Sequence, residues 1–121
     1  MDAKEFLMQY RDCVDELRSK RAEREQLLDD AKAVGEPDTT DLEAEIENER
    51  KKFYETRRAV RTAINAVPVA KLRQLLRYKY ICGCEWDAVS EKIDRSYMHV
   101  VHRLQKEALK FVDDFLKRET R

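Results

Sequence analysis

The sequence predicts an all-α protein in which a long antiparallel helical hairpin precedes a set of shorter helices. Its 121 residues include only two glycines and two prolines, so few turns are available. Charged residues make up 41% of the chain and aromatic residues 8%, a mixture that suits long helices with solvated faces better than a sheet sandwich. Apolar residues are also too frequent and too periodic for a disordered chain.

The first predicted helix ends at a loop from Gly35 to Thr40, which contains one of the two glycines and one of the two prolines. After the loop, Thr40 and Glu43 have the spacing of a capping box, in which each side chain satisfies a free backbone amide. Before the loop, apolar residues recur at helical spacing: Phe6, Leu7, Tyr10, Val14, Leu17, Leu28, Ala31 and Val34.

The second helix carries a coiled-coil repeat, in which seam positions alternate steps of four and three. These positions are Leu42, Ile46, Glu49, Phe53, Thr56, Val60, Ala63 and Val67. Two long helices joined by a six-residue loop are expected to fold back as an antiparallel hairpin.

Glu49 is a candidate for fixing the register of this hairpin. It lies opposite residue 25 when the loop is centred near residue 37, so we expect it to pair with Arg21 or Arg24. A polar seam residue lowers stability but excludes other alignments of the two helices. The alternative is that these polar side chains simply extend along the helices to water.

The second break in the helical pattern is Val67-Pro68, which divides the chain into predicted domains at residues 1–67 and 68–121. Proline suits the first position of a helix, because its missing amide would have had no partner there. We expect a helix from Pro68 to Tyr80 and a left-handed turn at Gly83. The apolar side of this helix is predicted to contain Val69, Leu72, Leu75, Leu76 and Tyr80.

Charge is unevenly distributed between the two predicted domains, although the formal net charge is zero. Residues 1–67 hold 13 Lys and Arg against 17 Asp and Glu, whereas residues 68–121 hold 12 against 8. The C-terminal part also contains both histidines. It could therefore place a positive face against phosphate groups.

The three cysteines are expected to be free thiols in a reducing cytosol. The sequence shows no signal-peptide pattern, and no apolar run approaches the roughly 20 residues of a membrane span, so we expect no membrane partner. Cys82, Cys84, His99 and His102 could be written as a zinc set. The Cys-Gly-Cys spacing is shorter than in structural zinc sites, so no metal or other cofactor is predicted.

The pattern of a helix-turn-helix follows Gly83. Trp86, Val89 and Ile93 lie on one face of a two-turn helix, and a tight corner at Asp94-Arg95 comes next. Ser96 is placed to cap a longer helix that extends to near residue 117. This is the plan in which the second helix enters the DNA major groove. Trp86 is expected to pack in the core rather than to bind a partner.

These residues resemble region four of sigma-70-type factors, most of all the small phage-encoded relatives of the ArpU and RinA type. The resemblance covers roughly residues 68–112. It departs from the family at Glu85, where Ser or Thr is frequent, and in the stretch from Ser96 to Ala108, which is one residue longer than usual. It rests on Leu75 to Ile81, Gly83, Trp86, Val89, Ile93, Ser96, Arg103-Leu104 and Ala108-Leu109.

The resemblance implies a phage or prophage DNA-binding transcriptional regulator that acts in the cytoplasm of a bacterial host. The expected partners are double-stranded DNA, RNA polymerase and a second copy of the chain, with the hairpin supplying either the homodimer contact or a contact surface for another partner. The alternatives are a DNA-packaging recognition protein of the small terminase type and a coiled-coil adaptor. An enzyme is not predicted, because the sequence has no Gly-rich phosphate loop, nucleophile elbow or His–carboxylate cluster.

The candidate DNA-contacting residues lie at the corner and at the start of the second helix of the motif. If Val101, Leu104, Ala108 and Phe111 face inward, the outward residues are Tyr97, Met98, His99, His102, Arg103 and Lys106. Arg95 in the corner and Ser96 at the helix start are placed to contact phosphate. Arg, Lys and His can donate to bases or phosphates, and Met and Tyr can contact a thymine methyl group. Arg73, Arg77 and Lys79 could add backbone contacts. For each residue the alternative is an ordinary solvated side chain.

Overall fold

The computed structural model describes residues 1–120, and Arg121 lies outside this range. All secondary structure within the range is helical, which confirms the predicted all-α class. Helices α3 and α5 each contain a π-helical turn, in which one extra residue is accommodated. The five helices are α1 (Ala3–Val34), α2 (Thr40–Asn65), α3 (Ala70–Leu76 and the π-helical Arg77–Ile81), α4 (Trp86–Lys92) and α5 (Tyr97–His99, the π-helical Val100–Leu104 and Gln105–Glu119).

Local hydrogen bonds define both ends of α1. The carboxylate of Asp2 accepts a hydrogen bond from the Glu5 amide at 2.8 Å, which satisfies one of the free amides of the first turn. At the other end Gly35 has a φ of 119° and its amide donates to the carbonyl of Ala31 at 2.9 Å. A positive φ suits glycine, so the helix stops where the sequence predicts.

The predicted capping box at the start of α2 is wrong. Thr39 occupies the N-cap position without a side-chain hydrogen bond, and Thr40 is already inside the helix. The carboxylate of Asp38 instead accepts a hydrogen bond from the Thr40 amide at 3.1 Å. This bond lowers the pKa of Asp38 from its ordinary value, because it stabilises the charged carboxylate. An aspartate two residues earlier thus takes the role expected of the Thr40 hydroxyl.

Two contacts, one at each end of the hairpin, give the relative orientation of α1 and α2. The ring of Tyr10 lies 5.2 Å from the ring of Phe53, measured between centroids. Near the loop, Nη1 of Arg24 lies 3.3 Å from Oε1 of Glu43. As the residue number rises in α1 it falls in α2, so these helices pack antiparallel.

Glu49 does not have the partner expected of it. Its Oε1 lies 3.6 Å from Nζ of Lys20, whereas Arg24 pairs with Glu43. The side chains of consecutive helix residues point about 100° apart around the helix axis. Lys20 therefore points towards α2, whereas Arg21 does not. Arg21 lines a groove beside the helix pair instead. The hypothesis that Glu49 pairs with Arg21 or Arg24 is therefore wrong in its partner.

One continuous core joins the base of the hairpin to the C-terminal helices. The N-terminal half supplies Ala3, Leu7, Val60, Ala63, Ile64 and Val67 to it. The C-terminal half supplies Leu72, Leu75, Leu76, Tyr80, Val89, Ile93, Val100, Ala108 and Val112. The division at residue 67 stays a prediction, but the two parts share buried residues across it.

The start of α3 differs from the sequence prediction by two residues. Val69 is extended, with φ −102° and ψ 119°, and precedes the helix as its N-cap. Pro68 therefore lies outside the helix rather than at its first position. Val69 was predicted on the apolar side, yet 44% of it is exposed. Leu72, Leu75, Leu76 and Tyr80 are buried as predicted.

Within residues 1–120, no helix combines the length and the apolar character needed to cross a membrane.

Candidate nucleic-acid interface

Helix α4 is attached to the core by its apolar face. Val89 and Ile93 are fully buried, and Trp86 is half-buried against the same cluster, as expected for a packing residue. Nζ of Lys79 lies 4.8 Å from the centre of the Trp86 ring, a cation–π distance. Glu85 precedes the helix in an extended conformation without capping it through its side chain. The position of α4 therefore depends on packing more than on a cap.

The corner between α4 and α5 is tight and has two hydrogen-bonded supports. Asp94 has a φ of 58°, a left-handed conformation that Asp tolerates better than most residues. The Arg95 amide donates to the carbonyl of Ser90 at 3.0 Å, closing the turn. From α3, Nζ of Lys71 donates to the carbonyl of Ile93 at 2.8 Å. The corner predicted at Asp94-Arg95 is present.

Ser96 caps α5 as the sequence predicts. Its hydroxyl oxygen accepts a hydrogen bond from the His99 amide at 3.2 Å, and its backbone is extended. A serine hydroxyl in this position satisfies an amide that the first turn leaves free. The start of α5 is therefore fixed at Ser96.

The buried face of α5 differs from the predicted one. Val100, Ala108 and Val112 are fully buried, and Leu104 is partly buried against them. Phe111, which was predicted to face inward, is 36% exposed. Within Val100–Leu104 the helix is π-helical, and the Gln105 amide donates to the Val100 carbonyl five residues earlier. Val100, Leu104, Ala108 and Val112 follow one another at steps of four residues, and the side of α5 that the core covers contains these residues rather than Phe111.

The eight predicted DNA-contacting residues occupy one region at the start of α5 and at the corner before it. Seven of them are exposed, and His99 is half-buried: Arg95, Ser96, Tyr97, Met98, His99, His102, Arg103 and Lys106. Met98 is 63% exposed and Tyr97 48%, so both side chains are open to a partner. The difference at Phe111 lies farther along α5 and leaves this exposed set intact.

Three of these eight residues are cationic, and two carboxylates, those of Asp94 and Glu107, border them. Among residues 1–120, Arg95 and Lys106 have no carboxylate within 4 Å, while Arg103 pairs with Glu107 at 3.4 Å. The Arg95 guanidinium donates to the carbonyl of its neighbour Asp94 at 2.8 Å. These cationic donors next to Met98 and Tyr97 could contact both phosphates and base edges.

The basic residues of α3 have intramolecular partners. Arg73 donates to the carbonyl of Val67 at 2.7 Å, and Arg77 donates to the amide oxygen of Asn65 at 2.8 Å. Lys79 lies over the Trp86 ring. These contacts join α3 to the end of α2 and to α4, so a supporting role explains the residues without DNA.

Three positioning contacts were not foreseen from the sequence. Arg11 donates to the carbonyl of Ile81 at 3.1 Å, and Asp113 accepts from the Ala3 amide at 2.7 Å. The third is the bond from Lys71 to Ile93. All three join residues far apart in the chain, so helical periodicity carries no signal for them.

The cysteines form no cluster with the histidines. Cys13 is buried, Cys82 is exposed, Cys84 is half-buried, and all three are free thiols. In the part of the chain that the structure describes, no three His, Cys, Asp or Glu residues are placed together to hold a metal ion.

Comparison with known proteins gave no match to this chain among family models, curated proteins or solved structures.

Proposed function

We propose that this chain is a phage or prophage transcriptional regulator that binds double-stranded DNA through a helix-turn-helix formed by α4, the corner at Asp94 and α5. The observation that carries the proposal is the exposed set at the start of α5. Residues there that can contact bases and phosphates point away from a buried face on the same helix. The resemblance of residues 68–112 to sigma region four supports the same function.

In the proposed complex, the first turns of α5 lie in the major groove and α4 crosses the backbone. Tyr97, Met98 and His102 contact base edges. Arg95 at the corner and Lys106 one turn farther contact phosphates on either side. A homodimer, joined through the hairpin, would present two such helices to successive major grooves, and RNA polymerase is a further partner of a regulator of this kind.

Fluorescence anisotropy with labelled duplex DNA tests the proposal directly. We expect binding whose affinity falls steeply as salt rises, since each phosphate contact releases counterions. Arg95→Ala combined with Lys106→Ala should weaken binding at least about tenfold. The control, Lys117→Ala with Arg118→Ala, removes the same charge from the far end of α5 and should change affinity little. No binding at low salt, or equal losses in both variants, would refute the proposal.

The second candidate is a phage DNA-packaging recognition protein or a coiled-coil adaptor. The observation favouring it is the set of exposed apolar residues along the hairpin, including Leu28, which is 45% exposed, and Tyr54, which is 46% exposed. Light scattering separates the two candidates. A dimer agrees with the regulator, whereas a ring of many copies agrees with packaging.

A further inference from the structure

One side of the hairpin has a groove that combines apolar residues with arginines. We call this surface the arginine face, and it consists of Val14, Leu17, Arg18, Arg21, Phe53 and Tyr54. It lies away from the shared core, between α1 and α2. Two packed helices cover each other along one line only, so apolar residues beside that line stay open to solvent.

The apolar residues of the arginine face are only partly covered, as in a helical bundle that lacks one of its helices. Val14, Leu17 and Phe53 are only half-buried, and Tyr54 is 46% exposed. Val14, Leu17 and Arg21 are separated by three and four residues, the spacing of a helix seam. A third helix laid in the groove would cover these residues on both α1 and α2.

The charge on this face is positive and mostly unpaired. Within residues 1–120, no carboxylate lies within 4 Å of Arg18 or Arg21. Arg50, which borders the groove, pairs with Glu47 at 3.0 Å. Along α2, Arg57 follows Arg50 after two turns and Arg61 follows Arg57 after one turn. A helix that covers the groove must therefore bring carboxylates to its edges.

The opposite side of the hairpin has the opposite character. The groove there is lined by the three carboxylates of Asp12, Glu16 and Glu49 against one cation, Lys52, and it lacks large apolar side chains. The charge of the hairpin is thus separated into an acidic side and an arginine side, although the N-terminal half as a whole is acidic.

We propose that the arginine face is the docking site for an amphipathic helix of another protein, whose apolar stripe is flanked by carboxylates. The apolar stripe would lie on Leu17 and Phe53, and the flanking carboxylates would pair with Arg18 and Arg21. Arginine and tyrosine are the residues that most often dominate binding energy at protein interfaces. This site is separate from α5, so it does not depend on DNA binding.

A second copy of the chain fits this face less well. A two-fold copy centred on the groove would bring the arginines of both copies into one interface without adding carboxylates, and like charges across an interface are unfavourable. A copy turned to offer its acidic side would supply carboxylates but no apolar residues for Leu17 and Phe53. Nucleic acid would pair with the arginines and leave the same apolar residues uncovered.

Two synthetic peptides of about three heptads each test the proposal with the full chain. Both have leucines at the seam positions, and the flanking positions carry glutamates in one and lysines in the other. By fluorescence anisotropy we expect the glutamate peptide to bind at least about tenfold more tightly, with affinity that falls as salt rises. Equal affinity for both peptides, or no binding of either, would overturn the proposal.

Matched variants locate the binding to one face. Arg18→Glu with Arg21→Glu should reduce glutamate-peptide affinity at least about tenfold and improve binding of the lysine peptide. The control, Lys51→Glu with Lys52→Glu, makes the same charge change on α2, and Lys52 lies at the groove on the opposite side. This control should change glutamate-peptide affinity much less. Circular dichroism checks that each variant is folded. If the glutamate variant unfolds, Arg18→Gln with Arg21→Gln removes the charges without adding carboxylates and should still lose affinity.

Two further outcomes would assign the face to another occupant and so overturn the proposal. In sedimentation experiments, a wild-type dimer that the arginine variant dissociates would indicate a second copy. Duplex DNA that competes with the peptide, together with a loss of DNA binding in the arginine variant, would indicate nucleic acid. Loss of DNA binding in the Arg95 and Lys106 variant alone concerns α5 and leaves this proposal unaffected.

Discussion

The guanidinium of Arg11 in α1 donates to the backbone carbonyl of Ile81, the last residue of α3, at 3.1 Å. It also lies against Gly83, whose φ of 73° is left-handed. A β-carbon at Gly83 would come within 3.2 Å of the guanidinium carbon of Arg11. One side chain of the hairpin therefore holds the turn that leads into α4.

Arg11→Ala should destabilise the protein by about 1–2 kcal/mol, because it leaves the Ile81 carbonyl without this donor. Gly83→Ala should also destabilise it, through the left-handed φ and through crowding against Arg11. Urea unfolding of both single variants and the double variant checks this. We expect the double variant to lose less than the sum of the two, since removing Arg11 removes the crowding. Strict additivity would argue against the contact.

Tyr80→Phe should leave stability at neutral pH unchanged or slightly higher. The Tyr80 side chain is buried, and its hydroxyl is buried without a hydrogen-bond partner in the described chain, which is costly for a polar atom. Gln105 lies nearby but not in hydrogen-bonding geometry. A loss of about 1 kcal/mol or more, measured by urea unfolding, would show that the hydroxyl does have a partner.

Tyr80 should also contribute to a loss of stability at alkaline pH. Burial raises the pKa of Tyr80 above its ordinary value of 10.0, because it disfavours the charged phenolate, and the negative charge of Asp2 adds to the shift. Above pH 10.0 the unfolded chain loses this proton while the folded protein keeps it, so unfolding becomes more favourable as pH rises. The free energy of unfolding of Tyr80→Phe should therefore fall less steeply there than that of the wild type. Parallel pH profiles would contradict this.

Ser96→Ala should cost about 1 kcal/mol of stability, the usual effect of removing an N-cap side chain. Ser96→Asp keeps an acceptor for the His99 amide and should be close to wild type. Thermal unfolding followed by circular dichroism measures both. If the two variants are equally destabilised, the hydroxyl does not act as a cap.

Residues at the start of α5 should separate into two classes in DNA-binding assays. Lys106→Ala should reduce the slope of log affinity against log salt by about 0.9, the effect of losing one phosphate contact. Met98→Ala and His102→Ala should leave that slope unchanged and instead reduce discrimination among operator sequences. Affinity measured on a set of single-base variants at several salt concentrations distinguishes the classes. A changed slope in Met98→Ala would contradict the assignment.

The features predictable from the sequence are those that depend on local chemistry. The turn at Gly35, the left-handed Gly83 and the cap at Ser96 each follow from the conformational preference of one residue. The apolar spacing of Val89 and Ile93 gives the buried face of α4 without tertiary information. These predictions required only the properties of single residues and the period of a helix.

The errors arise where tertiary packing decides. In α5, Val112 is buried where Phe111 was expected to face inward, because the helices packed against α5 determine which of its sides is covered. Glu49 pairs with Lys20 rather than with Arg21. The loop sets the register of the hairpin, and because its shape does not follow from the sequence, that register is predictable to within one residue at best. The bonds from Arg11 and Lys71 to distant carbonyls depend on tertiary packing alone.

The bond between the Ala3 amide and the Asp113 carboxylate joins residues 110 positions apart. This bond forms only after residues 1–113 have been synthesised. The hairpin is made first, and its apolar base, with Leu7, Val60 and Ile64, completes the shared core only when the C-terminal helices follow. Apolar surface that is exposed in such an interval makes a folding intermediate prone to aggregation.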